Sequence, residues 1–448
     1  DLVVNHTSDE HPWFEEARKS RHNPYYNYYH WWPAEKGEPP LRLSYFDEEG
    51  NAWTYNKPTD SYYLHYFSRK QPDLNWENPE VRQEIFDMMR FWFDKGIDGF
   101  RMDSISLIAK DPSFPLIDSK KYPDIFSFYA KEPRLHLYLH EMNRQVLSKY
   151  DCMSVGEGSA VMVDDVAKFV DPAREELNML YHFDAARIRN TTLPDNPESG
   201  IDYSLIALKK MFTEWDKAVD KGWPSIYLSN HDQPRMVSRF GSDKDEFRAL
   251  STKMLITFLL TMRGTPYWFA GDEIGMRNIR FDRIEDYNDI DTINRYKKAK
   301  AEGKDPQAVL DEQKETGRDN ARTPFQWDRS PEAGFTAGTP WLKVNPDYTW
   351  INVADEEKDP TSILNYFKKV VSFRKENPSL IYGSYHLLDA ENPQSYTFLR
   401  KTGADTYLIM LNFSPKAAIS TPGIDMSNAH VLLDNYGDRS HMAPQKDI

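Results

Sequence analysis

The 448-residue sequence predicts an α/β chain built on a parallel (β/α)8 barrel, with an insertion domain after one strand and an antiparallel β-sandwich domain at its end. Three observations carry that prediction. A unit of amphipathic helix, glycine or polar stop, and apolar strand recurs along the chain; its strands end in charged residues; and beyond residue 379 the helical period gives way to short alternating segments.

The strands come in order as LVVN at 2–5, IDGFR at 97–101, MSVGE at 153–157, LYHF at 180–183, SIYLS at 225–229 and PYWFA at 266–270. Six of eight barrel strands are therefore expected, numbers three to eight. The first helix, 79–95, opens on Pro79, a residue suited to the first helical position, and stops at Gly96. Its periodicity places Val81, Ile85, Met88, Met89 and Trp92 on one face. Helices follow at 140–150, 205–222 and 247–264, each running into a strand, and 361–376 closes the barrel. Helical YKKAKAEGKD precedes the loop RDNARTPFQWD in the charged, turn-rich stretch 275–350.

The barrel thus spans 1–6 and 79–378. Residues 7–78, with NPYYNYYHWWP at 23–33 and SYYLHYF at 61–67, are too aromatic for a disordered insert and read as a small domain over the site. Residues 379–448 hold YHLLD, YTFLR, TYLIMLNF and HVLLD between turn residues, the sandwich-like module.

Composition narrows the partners. A net charge of −14 without clustered Lys and Arg argues against nucleic acid and anionic membrane and for a neutral ligand. The longest apolar run, MLITFLL at 254–260, is too short to cross a bilayer. The single cysteine, Cys152, leaves no internal disulfide and is expected as a buried core thiol.

The chemistry lies at the strand ends. Arg101 and Asp103, two apart, share a strand face, where the guanidinium keeps the carboxylate ionised, as a nucleophile requires; a structural ion pair would look the same. Glu157 stands between Gly156 and Gly158, so it is expected on open backbone, partly buried, without a cationic neighbour and with a raised pKa; alone, it reads equally as an ordinary loop glutamate. His231 and Asp232 end SIYLS, and His6 ends LVV; singly, each is a strand cap. No two of these strand-end His, Asp and Glu residues share a helix at the i, i+4 spacing of a metal site, so no metal is assigned.

Barrel topology brings strand ends together, and this favours the catalytic reading. Two carboxyls of opposed pKa and a third that binds hydroxyls describe retaining glycoside cleavage, with the reacting pair about 5 to 5.5 Å apart. Phe46, Phe67, Tyr66 and Trp327 are candidate sugar platforms.

These residues resemble family 13 of the glycoside hydrolases, the α-amylase family. DLVVNH, GFRMD, VGEG and SNHDQPR are similar to its four central motifs, and QPDLNWENP at 71–79 to its fifth. With GRDNARTPFQWD at 317–328, the fifth resembles the oligo-1,6-glucosidase, α-glucosidase and sucrose isomerase branch. The resemblance implies Asp103 as nucleophile, Glu157 as acid/base and Asp232 as transition-state stabiliser. It implies His6, Arg101 and His231 as contacts to the glucose at the cleavage point, Arg322 as a contact near the non-reducing end, and Phe67 as the stacking residue.

It also implies that about a hundred residues precede Asp1, carrying two βα units, two further sugar contacts and the place of a structural calcium. An incomplete barrel of this kind would expose two edges and aggregate or swap. No cofactor is expected otherwise. The expected protein is a cytoplasmic monomer or weak homo-oligomer acting on short α-glucosides, isomalto- or malto-oligosaccharides or sucrose. Ser104, next to the nucleophile, departs from the valine of 1,6-cleaving members and marks linkage specificity. RFDR at 280–283 resembles the charged loop of sucrose isomerases, which keeps isomerase or transglucosidase activity as an alternative. A catalytically silent relative is the non-enzymatic alternative, and the three retained carboxylates speak against it.

Overall fold

A computed structural model describes residues 1–46, 50–122, 124–191, 194, 202–403 and 405–436. The chain forms two units, one of Asp1–Phe183 with Lys217–Pro224, the other of Asp184–Asp216 with Ser225–Ile448.

The strands of the first unit are β1 (Leu2–Val3), β2 (Trp31–Pro33), β3 (Trp53–Asn56), β4 (Ser61–Leu64), β5 (Gly99–Asp103), β6 (Met153–Glu157) and β7 (Met179–Tyr181). Strands β1, β5, β6 and β7 form one parallel sheet in that order, the order of the chain. Between β1 and β5 the inserted residues build a separate antiparallel sheet, β2-β4-β3. Trp53, Leu64 and Tyr66 of the insert pack with Leu107, Phe114 and Tyr129 from the segment after β5. That apolar joint anchors the insert beside the end of β5. Tyr66 is buried there, stacked at 3.9 Å on Tyr129, and cannot serve as the sugar platform expected of it.

The helix Pro79–Asp94 begins where expected, with Asn78 accepting a hydrogen bond from the Glu80 N–H. A cap of this kind contributes about 1 kcal/mol, whereas five buried side chains contribute about 1.5–3 kcal/mol each, so packing holds the helix. The buried face is Val81, Ile85, Phe86, Met89 and Phe93; Met88 and Trp92 point outward, contrary to expectation. Apolar residues cover an arc wider than the buried face, and periodicity alone does not say which part of that arc is buried. The helix expected at 140–150 runs from Arg134 to Gln145, starting six residues early, because Leu135, Tyr138, Leu139 and Met142 form its buried stripe.

Gly99 is dictated by the sheet, since a Cβ there would lie 2.0 Å from the Met153 carbonyl oxygen. Gly156 and Gly158 do not leave open backbone around Glu157. A Cβ on them would meet Leu177 Cδ1 at 2.7 Å and Leu180 Cδ2 at 2.6 Å, so these glycines admit close packing, and Glu157 is the buried last residue of β6. Cys152 is only half-buried; its thiol faces the Leu147 carbonyl at 3.5 Å.

In the second unit β8 (Ser225–Ile226) and β9 (Thr265–Pro266) pair in parallel. The helix Asp245–Thr261 between them packs on Ile363–Glu376 through Ile256, Leu260, Ile363, Tyr366 and Val370. The helical stretch expected around YKKAKAEGKD becomes two helices, Ile290–Ala301 and Pro306–Thr316. The C-terminal module is antiparallel as expected, with β10 (Ser384–Leu388), β11 (Ser395–Thr402) and β12 (Asp405–Asn412) in one three-stranded sheet. HVLLD forms no strand, and the expected continuation over 437–448 lies outside the described residues.

Candidate active site

The expected site residues fall into two groups, one in each unit. In the first, alternation along β5 buries Phe100 and Met102 and turns Arg101 and Asp103 to the other face. Arg101 Nη1 donates to Asp103 Oδ1 at 2.5 Å, Nη2 lies 3.0 Å from Glu157 Oε2, and Nε donates to the Tyr181 hydroxyl at 2.7 Å. One guanidinium therefore reaches both carboxyls. The cation beside Glu157 corrects the expectation that none would be there.

Asp103 is partly buried, which pushes its carboxyl up, but the hydrogen bond and charge of Arg101, the nearness of His6 and a hydrogen bond from Glu157 hold it below the usual carboxylate range. The same guanidinium draws both carboxyls.

Ser104 follows in the left-handed region at φ 45°, a turn that aims its backbone N–H at Glu157 Oε2, 2.8 Å away. Its buried hydroxyl is 3.5 Å from the same oxygen. His6, three residues beyond the first strand, stacks at a tilt on Phe67, 5.2 Å between centroids, and Phe67 in turn meets Phe46 at 5.6 Å. Burial and Lys110 lower the His6 pKa, against the pull of Asp73 and Asp103.

Behind His6 lies an arrangement that no local motif announces. The fully buried Lys110 donates to Asn5 Oδ1 at 2.6 Å and pairs with Asp73 Oδ2 at 3.0 Å, and its ammonium sits 5.0 Å from the centre of the Tyr66 ring. Asp73 belongs to QPDLN, so the fifth motif braces the first through a lysine 37 positions further on.

In the second unit His231 Nε2 lies 3.2 Å from Asp232 Oδ2. Arg322 Nη2 donates to Asp232 Oδ1 at 2.8 Å, and its Nε to the His231 carbonyl at 2.8 Å. Arg318, which sequence reasoning passed over, also reaches Asp232 Oδ1, at 3.3 Å, while its Nε donates to Asp289 Oδ1 at 2.8 Å. Asp289 is itself fixed as the cap of helix Ile290–Ala301. The signal for Arg318 was present in GRDNAR, where two arginines four apart follow a helix end. A cavity of about 450 Å³ in this unit is lined by His231, Arg322, Phe269, Phe325, Phe335 and Trp341 among others. Trp327 is half-exposed against Phe325, 4.6 Å between centroids. In RFDR, Arg280 is tied to Glu315 and Asp243, and Arg283 pairs with exposed Glu285.

Among the described residues no three His, Cys, Asp or Glu side chains gather as a cation site would need, and no helix is long and apolar enough to cross a membrane.

An α-amylase catalytic-domain model matches residues 1–383. With carboxyls at the ends of parallel barrel strands, the chain is a glycoside hydrolase of (β/α)8 fold. It is 50% identical over 447 residues to an oligo-1,6-glucosidase of Parageobacillus thermoglucosidasius, covering 97% of this chain and 78% of that relative. It is 45% identical to an oligo-1,6-glucosidase of Bacillus cereus, over 97% of this chain and 78% of the relative. Among solved structures, a MutB mutant in complex with the substrate sucrose superposes with a TM-score of 0.86 at 40% identity, over 92% of this chain and 73% of that one. This chain belongs to the α-amylase family.

Proposed function

We propose that the protein is a retaining α-glucosidase that removes glucose from the non-reducing end of short α-glucosides, isomalto-oligosaccharides first. The observation that carries the reading is the fork of Arg101, which reaches both Asp103 and Glu157 and holds Asp103 below the usual carboxylate range. Asp103 attacks the anomeric carbon while Glu157 protonates the departing oxygen. In the second step Glu157 takes a proton from water, whose oxygen displaces Asp103, and the anomeric configuration is retained.

His6, Arg101 and His231 would bind the glucose at the cleavage point, Arg322 its non-reducing end, Phe67 and Phe46 its faces, and Asp232 would stabilise charge in the transition state. Ser104 would bear on linkage. The two carboxyls and water supply every proton and bond, so no cofactor is required. We propose a cytoplasmic monomer or weak homo-oligomer. The relatives named oligo-1,6-glucosidase support the α-1,6 preference.

Incubation with isomaltose, maltose, sucrose and trehalose 6-phosphate tests the reading. Isomaltose should yield glucose, first as the α-anomer by NMR; turnover of none of them would end it. Asp103→Asn should lower kcat by a factor on the order of 10³–10⁶ with the fold intact.

A second reading, sucrose isomerisation, is favoured by the likeness to the sucrose-bound MutB mutant and by RFDR. Sucrose converted to an isomeric disaccharide, without free glucose, would select it.

A further inference from the structure

Gln71, the first residue of QPDLN, places its Nε2 3.1 Å from His6 Nε2. Which end of the amide faces the ring is fixed by its other contact, because the Ser68 N–H donates to Gln71 Oε1 at 3.1 Å. The end toward His6 is thus the NH2, which only donates, and the ring nitrogen it meets must accept.

Asn5 is oriented in the same manner on the other side of the ring. Lys110 donates to Asn5 Oδ1 at 2.6 Å, which turns Nδ2 toward His6 Nδ1 at 3.3 Å and Asp73 Oδ1 at 3.4 Å. The imidazole therefore faces two amide donors, yet a neutral imidazole accepts at one nitrogen only. The Gln71 contact is the shorter, and the Asn5 amide has Asp73 as another acceptor. The ring proton consequently sits on Nδ1.

We propose that Gln71 is a positioning residue that sets the tautomer of His6, holding Nε2 unprotonated so that the ring accepts a hydrogen bond from a substrate hydroxyl rather than donating one. The entering hydroxyl replaces the Gln71 amide as donor to Nε2. A sugar whose hydroxyl at this place must accept finds no donor there, so the pair selects among hydroxyl orientations. The inference rests on the reading of His6 as a glucose contact.

The test labels the histidines of the whole protein with ¹⁵N and reads the long-range ¹H–¹⁵N correlation of each ring, the His6 signal being assigned by its loss in His6→Asn. The unliganded protein should show His6 protonated at Nδ1 and bare at Nε2. In Gln71→Glu the carboxylate can only accept, so the proton should move to Nε2, and KM for isomaltose should rise by up to about tenfold, the worth of one hydrogen bond, with kcat changed less. Gln71→Met, of similar length and with no polar end, should also move the proton to Nε2. A wild-type His6 protonated at Nε2 would overturn the proposal, as would Gln71→Glu and Gln71→Met that leave the tautomer unchanged. Failure to turn over any α-glucoside would remove the proposed function, whereas the tautomer is read without turnover and decides this inference separately.

Discussion

Replacing Lys110 by methionine isolates the electrostatics of the bracing pair behind His6. Methionine fills nearly the same volume, so the cavity term is small and the loss is that of the charge. Without the lysine, Asp73 keeps only neutral donors, the Tyr66 N–H at 3.2 Å and Asn5 Nδ2 at 3.4 Å, around a carboxylate with no exposed surface. Removing one partner of a buried pair costs about 3–5 kcal/mol, a large part of the 5–15 kcal/mol that holds a typical domain. The assay is hydrogen exchange at the Asp73 and Leu74 amides, which donate to the Leu64 and Asn5 carbonyls at 2.9 Å. Protection should fall by roughly two to three and a half orders of magnitude, at 1.4 kcal/mol per tenfold. Adding Asp73→Asn should recover most of the protection. A loss below about 1 kcal/mol for Lys110→Met, or a double variant as weak as the single one, would refute the claim that charge pairing holds this corner.

Two further substitutions probe the sheets. Burial pushes Asp272 up to about 7, against the pull of Arg235 and the Ser229 hydroxyl; because the folded pKa is raised, its contribution is present at low pH and lost as pH climbs to about 7. Asp272→Asn should therefore flatten the fall in melting temperature between pH 4 and pH 7, and a variant that follows the wild-type slope would remove Asp272 as its cause. Gly99→Ala must push β5 from β6, since the new Cβ would meet the Met153 carbonyl at 2.0 Å. We expect an insoluble protein or a loss above about 3 kcal/mol by urea titration, and a soluble variant of wild-type midpoint would show that the strands can part.

The strand ends were legible because a strand repeats every two residues, so Arg101 and Asp103 had to share a face wherever the strand lay. The start of the first helix at Pro79 rests on an equally local rule. What stayed hidden is what depends on contacts far apart in the chain. Glu157 meets its cation across 56 positions, and Lys110 meets Asn5 across 105. The outward turn of Met88 and Trp92 and the early start at Arg134 have a different cause, since apolar residues exceed what one face needs and burial makes the choice. Arg318 and Gln71 stood inside recognised motifs, but a motif names a segment and leaves open which of its atoms meet which partner.

Ser104 carries a further consequence. Its grip on Glu157 comes through the main chain, which every residue except proline possesses, whereas its side chain is 3.5 Å from the same oxygen and adds little. On the proposed function, placement of the proton donor and choice of linkage fall to different atoms of one residue. On that proposal, the side chain at 104 can be traded for another that tolerates the turn and change which glucosides are accepted, while the main-chain hold on Glu157 stays where it was.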